Sequence, residues 1–338
     1  MADPTTGKNG VSRRGFVRQA AALTGAATLG NLTATNAQAA PNKRTDAMPM
    51  RTLGRTGVKV STLTLGTAPL GQGPATIKEG QAVVERALEL GVNYIDTAQI
   101  YGNAEAFIAP VMKQHRDRAF LASKVWADEV DTFDKKLTEV FNTLKVDMID
   151  LLHIHSLGGK DVDKILAKGG VLDYLDKKKE QGVIRFIGIS GHNHPMKFKR
   201  MIDTGRVDVM MVAMNFADRH TYGFEEKVLP AAREQNTGVA CMKVFGGVKA
   251  TKDSPWTNYN HISPAQMPAV YFRNAVRYAL DLPGVATAVI GVHSIEQLEQ
   301  NVAFVRNHEP LSEAETESLL DHGKKLAADW GPRFGPVS

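Results

Sequence analysis

Eight short apolar or β-branched runs, each followed by a longer stretch of helical period, predict an α/β fold. Strict alternation of this kind implies parallel strands, and eight is the number that closes into a (β/α)8 TIM barrel. The 338-residue length suits such a barrel as one large domain. A content of 43% hydrophobic and 23% charged residues is that of an ordinary globular protein. An open doubly wound sheet is the alternative arrangement of the same elements.

The expected elements follow the chain in order. "MRTLGRTGVKVS" (50–61) reads as two short strands around a glycine-containing turn, a β-hairpin that caps the bottom of the barrel. Strands are expected at 62–66, 93–96, 120–124, 148–155, 184–190, 207–215, 238–243 and 285–290. Apolar residues at three- and four-residue spacing predict helices at 78–90, 104–115, 132–144, 163–181, 195–205, 224–235, 266–280 and 294–306. The stretch 244–265, rich in Gly, Pro and Asn, follows the seventh strand. On a barrel that is the C-terminal face, where long loops cover ligands.

The net charge of +5 is concentrated at the N-terminus, where residues 1–39 hold Lys8, Arg13, Arg14 and Arg18 against Asp3. Three of the five excess positive charges lie there, which leaves the rest of the chain no case for nucleic-acid binding. "SRRGFVRQAAALTGAATLGNLTATNAQAA" has a charged start, a short mildly apolar stretch and an A-x-A end, the marks of an export signal. The pair in "SRRGFVR" resembles a twin-arginine signal peptide. It implies the bacterial twin-arginine export machinery as a partner and a periplasmic or exported mature protein. The expected organisation is a signal peptide at 1–39, a linker at 40–49, the barrel at 50–330 and a C-terminal tail at 331–338. No run approaches the roughly 18 apolar residues that span a bilayer, so no stable membrane insertion is expected. Cys241 is the one cysteine, which excludes an internal disulfide, and strand packing is its expected role.

The chemistry gathers at the C-terminal ends of successive strands. The second strand ends at Asp96 in "NYIDTAQIYG", the third at Lys124 in "ASKVW", and the fourth at His155 in "IDLLHIH". Reducing a carbonyl needs hydride at carbon and a proton on oxygen, and a free tyrosine is a poor acid at neutral pH. A lysine ammonium beside Tyr101 favours the phenolate. Tyr101 then becomes a general acid, Lys124 its tuner and Asp96 the group that keeps a buried ammonium charged. A neutral His155 can donate a hydrogen bond to the carbonyl and orient it. His153 shares a face with His155 two residues deeper, where a neutral histidine hydrogen-bonded to a neighbour fills the interior.

On these motifs, together with "GVIRFIGIS", "MRTLGRTGVKVSTLTLGT" and "VIGVHSIEQLEQN", the chain resembles the aldo-keto reductase family over roughly residues 50–310. The resemblance implies metal-free, NADP(H)- or NAD(H)-dependent interconversion of small-molecule carbonyls and alcohols, with Asp96, Tyr101, Lys124 and His155 as the tetrad. It places cofactor contacts at Gly66 and Thr67, at Ser190, in the pyrophosphate loop Lys243 to Gly247 with Gly246, and at Gly291, His293, Ser294, Gln297 and Asn301. Departures from the family pattern fall at Gly191, Met211 and Met242, where amide or stacking contacts are usual, and at Gly291 and Gln297, where basic residues are common.

Two other readings stay open on sequence alone. The pairs His153/His155 and His192/His194 have spacing that can serve a metal hydrolase. The methionine substitutions and the export signal suit a nucleotide-binding sensor or partner subunit with little turnover. Trp126 and the segment 216–224 are expected, with 244–265, to line the substrate side.

Overall fold

The computed structural model describes residues 46–248 and 265–338. The export-signal reading at 1–39 lies outside the described residues, as does the greater part of the 244–265 stretch.

The chain opens with β1 (Met50–Thr52) and β2 (Lys59–Ser61), then runs through β3 (Leu63–Gly66), β4 (Tyr94–Asp96), β5 (Phe120–Val125), β6 (Ile149–Ile154), β7 (Ile184–Gly191), β8 (Val209–Ala213), β9 (Gly238–Met242) and β10 (Val285–Gly291). β1 and β2 form an antiparallel hairpin, and β3 to β10 close in chain order into a parallel barrel, β10 pairing with β3. The hairpin covers the N-terminal ends of the strands. Leu53, fully buried, lies under Gly238 at the start of β9, where an added Cβ would stand 2.8 Å from the Leu53 Cγ.

Register decides which side chains share a layer. Tyr94 pairs with Phe120, Asp96 with Ala122, Ala122 with Leu151, Lys124 with His153, and His153 with Gly188. Because side chains alternate across a strand, Phe120, Ala122 and Lys124 climb one face of β5. The lower inward layers are apolar, among them Tyr94, Phe120, Leu151 and Val209. A larger apolar shell fills the space between strands and helices. Asp96 and Lys124 stand above these layers, at the C-terminal ends of β4 and β5.

Three expected helices differ in extent. The 163–181 stretch divides into Val162–Leu166 and Val171–Glu180, because Gly169 adopts φ +76°, which interrupts the helix. The 224–235 stretch divides into Phe224–Lys227 and Leu229–Glu234, with Pro230 in the first turn of the second, where its missing N–H costs nothing. The 266–280 helix begins only at Phe272, after a 3-10 turn, Ala269–Tyr271, preceded by Pro268. Two helices were not anticipated: the short Ala68–Gln72 and the 18-residue Glu313–Trp330, which starts at a capping box formed by Ser312 and Glu315. Among the described residues no helix is long and apolar enough to cross a membrane.

Candidate active site

The strand ends bring four polar side chains together. The Lys124 ammonium donates to Asp96 Oδ2 at 2.6 Å and to the Thr97 carbonyl at 2.8 Å, and both charged groups are buried. Burial pulls Lys124 below the ordinary lysine range and lifts Asp96 above the ordinary carboxylate range, each shift opposed by the attraction of the partner. Asp96 Oδ1 makes no hydrogen bond.

Tyr101 sits in the turn after β4, its N–H on the Ala98 carbonyl at 2.9 Å and its own carbonyl accepting from Ala104 at 3.1 Å. Gly102 beside it has φ +56°, and a Cβ there would fall 2.4 Å from the Gly71 carbonyl oxygen. Gly102 is therefore needed to pass the chain close to the helix Ala68–Gln72. The Lys124 ammonium lies 4.7 Å from the centroid of the Tyr101 ring, and His155 meets that ring edge-on at 5.7 Å. Burial, reinforced by the Lys124 charge, holds His155 well below the usual histidine range, so it is neutral at physiological pH, and its Nδ1 makes no hydrogen bond.

His153 lies one layer deeper, fully buried, its pKa lowered to about 3 by burial and by Lys124. The Ile189 backbone stands close enough to favour its protonation slightly, yet neither ring nitrogen closes a well-formed hydrogen bond. The neighbour expected from the sequence is thus the Ile189 backbone, held at loose geometry, and packing fills the rest of the layer. Gly188 makes room for the ring, since a Cβ there would lie 2.3 Å from His153 Nδ1.

The second histidine pair separates. His192 is buried beside Phe334, ring centroids 5.1 Å apart, while His194 precedes the helix Pro195–Ile202 with φ 53°. Among the described residues no group of three or more His, Cys, Asp and Glu side chains could hold a metal ion.

A cavity of about 540 Å³ opens at the rim, within the size range of small-molecule sites. Asp96 and Tyr101 line it together with Gly66, Lys243, Gly247, Gly291, His293, Gln297 and Asn301. Met211 and Met242 face it as well. Four other expected contacts do not line it. Thr67 donates its hydroxyl to the Asp96 carbonyl at 2.8 Å and so braces the end of β4. Ser190 is buried with its hydroxyl unpaired. Gly246 offers its carbonyl to Arg333 at 2.8 Å. Ser294 caps the helix Ile295–Arg306 and lines a neighbouring cavity. The residues present fit an elongated cofactor: strand-end glycines at Gly66 and Gly291, a loop bearing Lys243, and a helix N-terminus nearby.

Residues 62–267 match the model of the aldo/keto reductase family. The chain belongs to that family. It is therefore an oxidoreductase. The L-galactose dehydrogenase of Arabidopsis thaliana is 28% identical over 312 residues, covering 82% of this chain and 96% of the relative. In fold, the chain is similar to a holo-form aldo-keto reductase of Bacillus halodurans, at TM-score 0.65, 24% identity and coverage of 83% and 96%. It is also similar to an aldo/keto reductase of Klebsiella pneumoniae solved with NADP and acetate, at TM-score 0.64, 20% identity and coverage of 81% and 95%.

One buried carboxyl beside the site was missed. Glu105 looks like an ordinary acidic residue in the first turn of the helix Ala104–His115, but it is buried and accepts from the Ser123 hydroxyl at 3.0 Å. Burial, against that hydrogen bond and the nearby Lys124 charge, pushes it from 4.5 up to about 7. Between those two values the folded chain keeps a proton that the unfolded chain has released. Its contribution to stability is therefore complete below about pH 4.5 and is lost as pH rises through about 7. Glu105→Gln retains an acceptor for Ser123 and cannot ionise. It is expected to melt close to the parent near pH 5 and about 2–6 °C above it near pH 8. Equal differences at both pH values would show that Glu105 carries no such titration.

Proposed function

We propose that this reductase interconverts a small carbonyl, an aldehyde, ketone or sugar, with its alcohol, using NADP(H) or NAD(H) and Tyr101 as general acid and base. The observation that carries this reading is the buried Lys124–Asp96 pair at 2.6 Å with the ammonium 4.7 Å from the Tyr101 ring. Bound in the rim cavity, a nicotinamide would supply or accept the hydride. Gly66, Lys243, Gly247, Gly291, His293, Gln297 and Asn301 would hold the dinucleotide along that cavity.

In the reducing direction Tyr101 hands its hydroxyl proton to the carbonyl oxygen. The Lys124 ammonium stabilises the negative charge left on the phenol oxygen, and Asp96 together with the Thr97 carbonyl keeps that ammonium in place. Neutral His155, standing edge-on to Tyr101, donates to the same carbonyl oxygen and fixes its direction. The oxidation of an alcohol uses the same groups with the proton returning to Tyr101.

Lys243 is the one lysine or arginine among the described residues of the cavity wall. A basic clamp for an adenosine 2′-phosphate thus has little support there, and either dinucleotide suits the site. Trp126, half-exposed beside the Lys160 ammonium at 4.0 Å from its ring, is placed at the rim two residues beyond Lys124. On the twin-arginine pattern at Arg13 and Arg14, we also assign the mature protein to the periplasm or the exterior of a bacterium.

Two outcomes check these readings. Tyr101→Phe is expected to lower kcat for carbonyl reduction by about 10²–10⁴ while nucleotide affinity stays the same; unchanged turnover would end the proposal. Replacing Arg13 and Arg14 together with lysine should leave the unprocessed protein in the cytoplasm on cell fractionation. Normal processing and export would rule out the twin-arginine route.

A further inference from the structure

The loop that follows β9 holds an unusual backbone. Lys243, Gly246 and Gly247 have φ of 57°, 74° and 79°, three left-handed residues in five, and the non-glycine among them is strained. Such a conformation persists only when the surroundings over-determine it. Lys243, Val244, Phe245 and Gly247 from this loop line the cavity, so whatever fixes the loop also shapes the site.

The loop carbonyls are taken up by outside donors. Gly247 and Phe245 accept from the Gln266 and Met267 N–H groups at 2.7 and 3.1 Å. Asn215 Nδ2 donates to the Lys243 carbonyl at 2.9 Å. Arg333, from the C-terminal segment, donates to the Gly246 carbonyl at 2.8 Å.

Arg333 is well built for this task. Its guanidinium forks onto both Asp218 oxygens at 2.6 and 2.8 Å, with 10% and 1% of the two side chains exposed. It packs against the Trp330 and Phe334 rings at 4.2 and 4.3 Å. Trp330 itself leans on Gly246, where a Cβ would meet its ring at 2.7 Å. Asp218 also accepts from Asn215 Nδ2 at 2.6 Å, so a single carboxylate ties both side-chain donors named above. A bidentate, largely desolvated fork of this kind is stiff and directional, unlike a surface ion pair.

We propose that Arg333 is a positioning residue for cofactor binding: through Asp218 and the Gly246 carbonyl it locks the Lys243–Gly247 loop in the shape that receives the dinucleotide. The inference rests on the cofactor reading above. It makes residues 330–335 a brace behind the cofactor loop. The same segment is anchored further along, where the Phe334 N–H donates to the Tyr222 hydroxyl at 2.8 Å and its ring lies against His192.

The test measures NADPH and NADH binding by fluorescence titration, together with steady-state kinetics and thermal melting, on the parent protein, Arg333→Met and Arg333→Lys. Arg333→Met is expected to raise the nucleotide Kd about ten-fold, with kcat at saturating nucleotide within about two-fold of the parent. Arg333→Lys keeps the charge but not the fork, and should fall between the two. If Arg333→Met does not fold, Arg333→Lys decides on the same Kd criterion. Folded variants that bind both nucleotides as tightly as the parent would overturn the proposal. A parent protein that binds neither nucleotide would instead remove the cofactor reading, and this inference with it.

Discussion

The buried pair between Lys124 and Asp96 is the constraint on which the rest of the site depends. Two charges taken out of water cost several kcal/mol each, and their attraction repays that only with close geometry and further hydrogen bonds. The 2.6 Å contact and the second bond from Lys124 to the Thr97 carbonyl supply both. Barrel register makes the contact available: Asp96 stands opposite Ala122, two residues before Lys124 on the same face of β5. Shifting either strand by one residue would turn one partner into the outer apolar shell. The Lys124 charge in turn adds to the burial that keeps His155 and His153 neutral, and it faces Tyr101 with an ammonium.

Most of the barrel was legible because parallel strands covered on both sides read as continuous apolar runs. All eight fall within the expected segments to within a residue or two, as does the hairpin. The helix Glu313–Trp330 was not, since it buries little more than Leu319, Gly323 and Ala327 along 18 residues, too narrow a stripe for a periodic signal. Gly323 matters there for closeness, its position leaving no space for a Cβ beside the Phe216 carbonyl.

The candidate site was legible where it depends on strand ends, because the end of a strand is readable from the sequence. Asp96, Lys124 and His155 converge for that reason. Thr67, Ser190, Gly246 and Ser294 turned out to act beside the cavity rather than along its wall, which depends on loop paths that periodicity does not encode. Glu105 was hidden for a similar reason: a glutamate in a first helical turn suits the helix dipole whether or not it is buried. Arg333 was hidden by distance, 115 residues from the Asp218 it grips.

The central claim is that the Lys124 charge makes Tyr101 a working acid and base. The most direct measurement is the pH profile of kcat for alcohol oxidation by Lys124→Met, compared with the parent. Without the ammonium the phenolate loses its stabilisation, so the ionisation that switches on the rate should move upward by at least about one pH unit, and kcat near neutrality should fall about 10²-fold. A profile with the same midpoint and height as the parent would contradict the account.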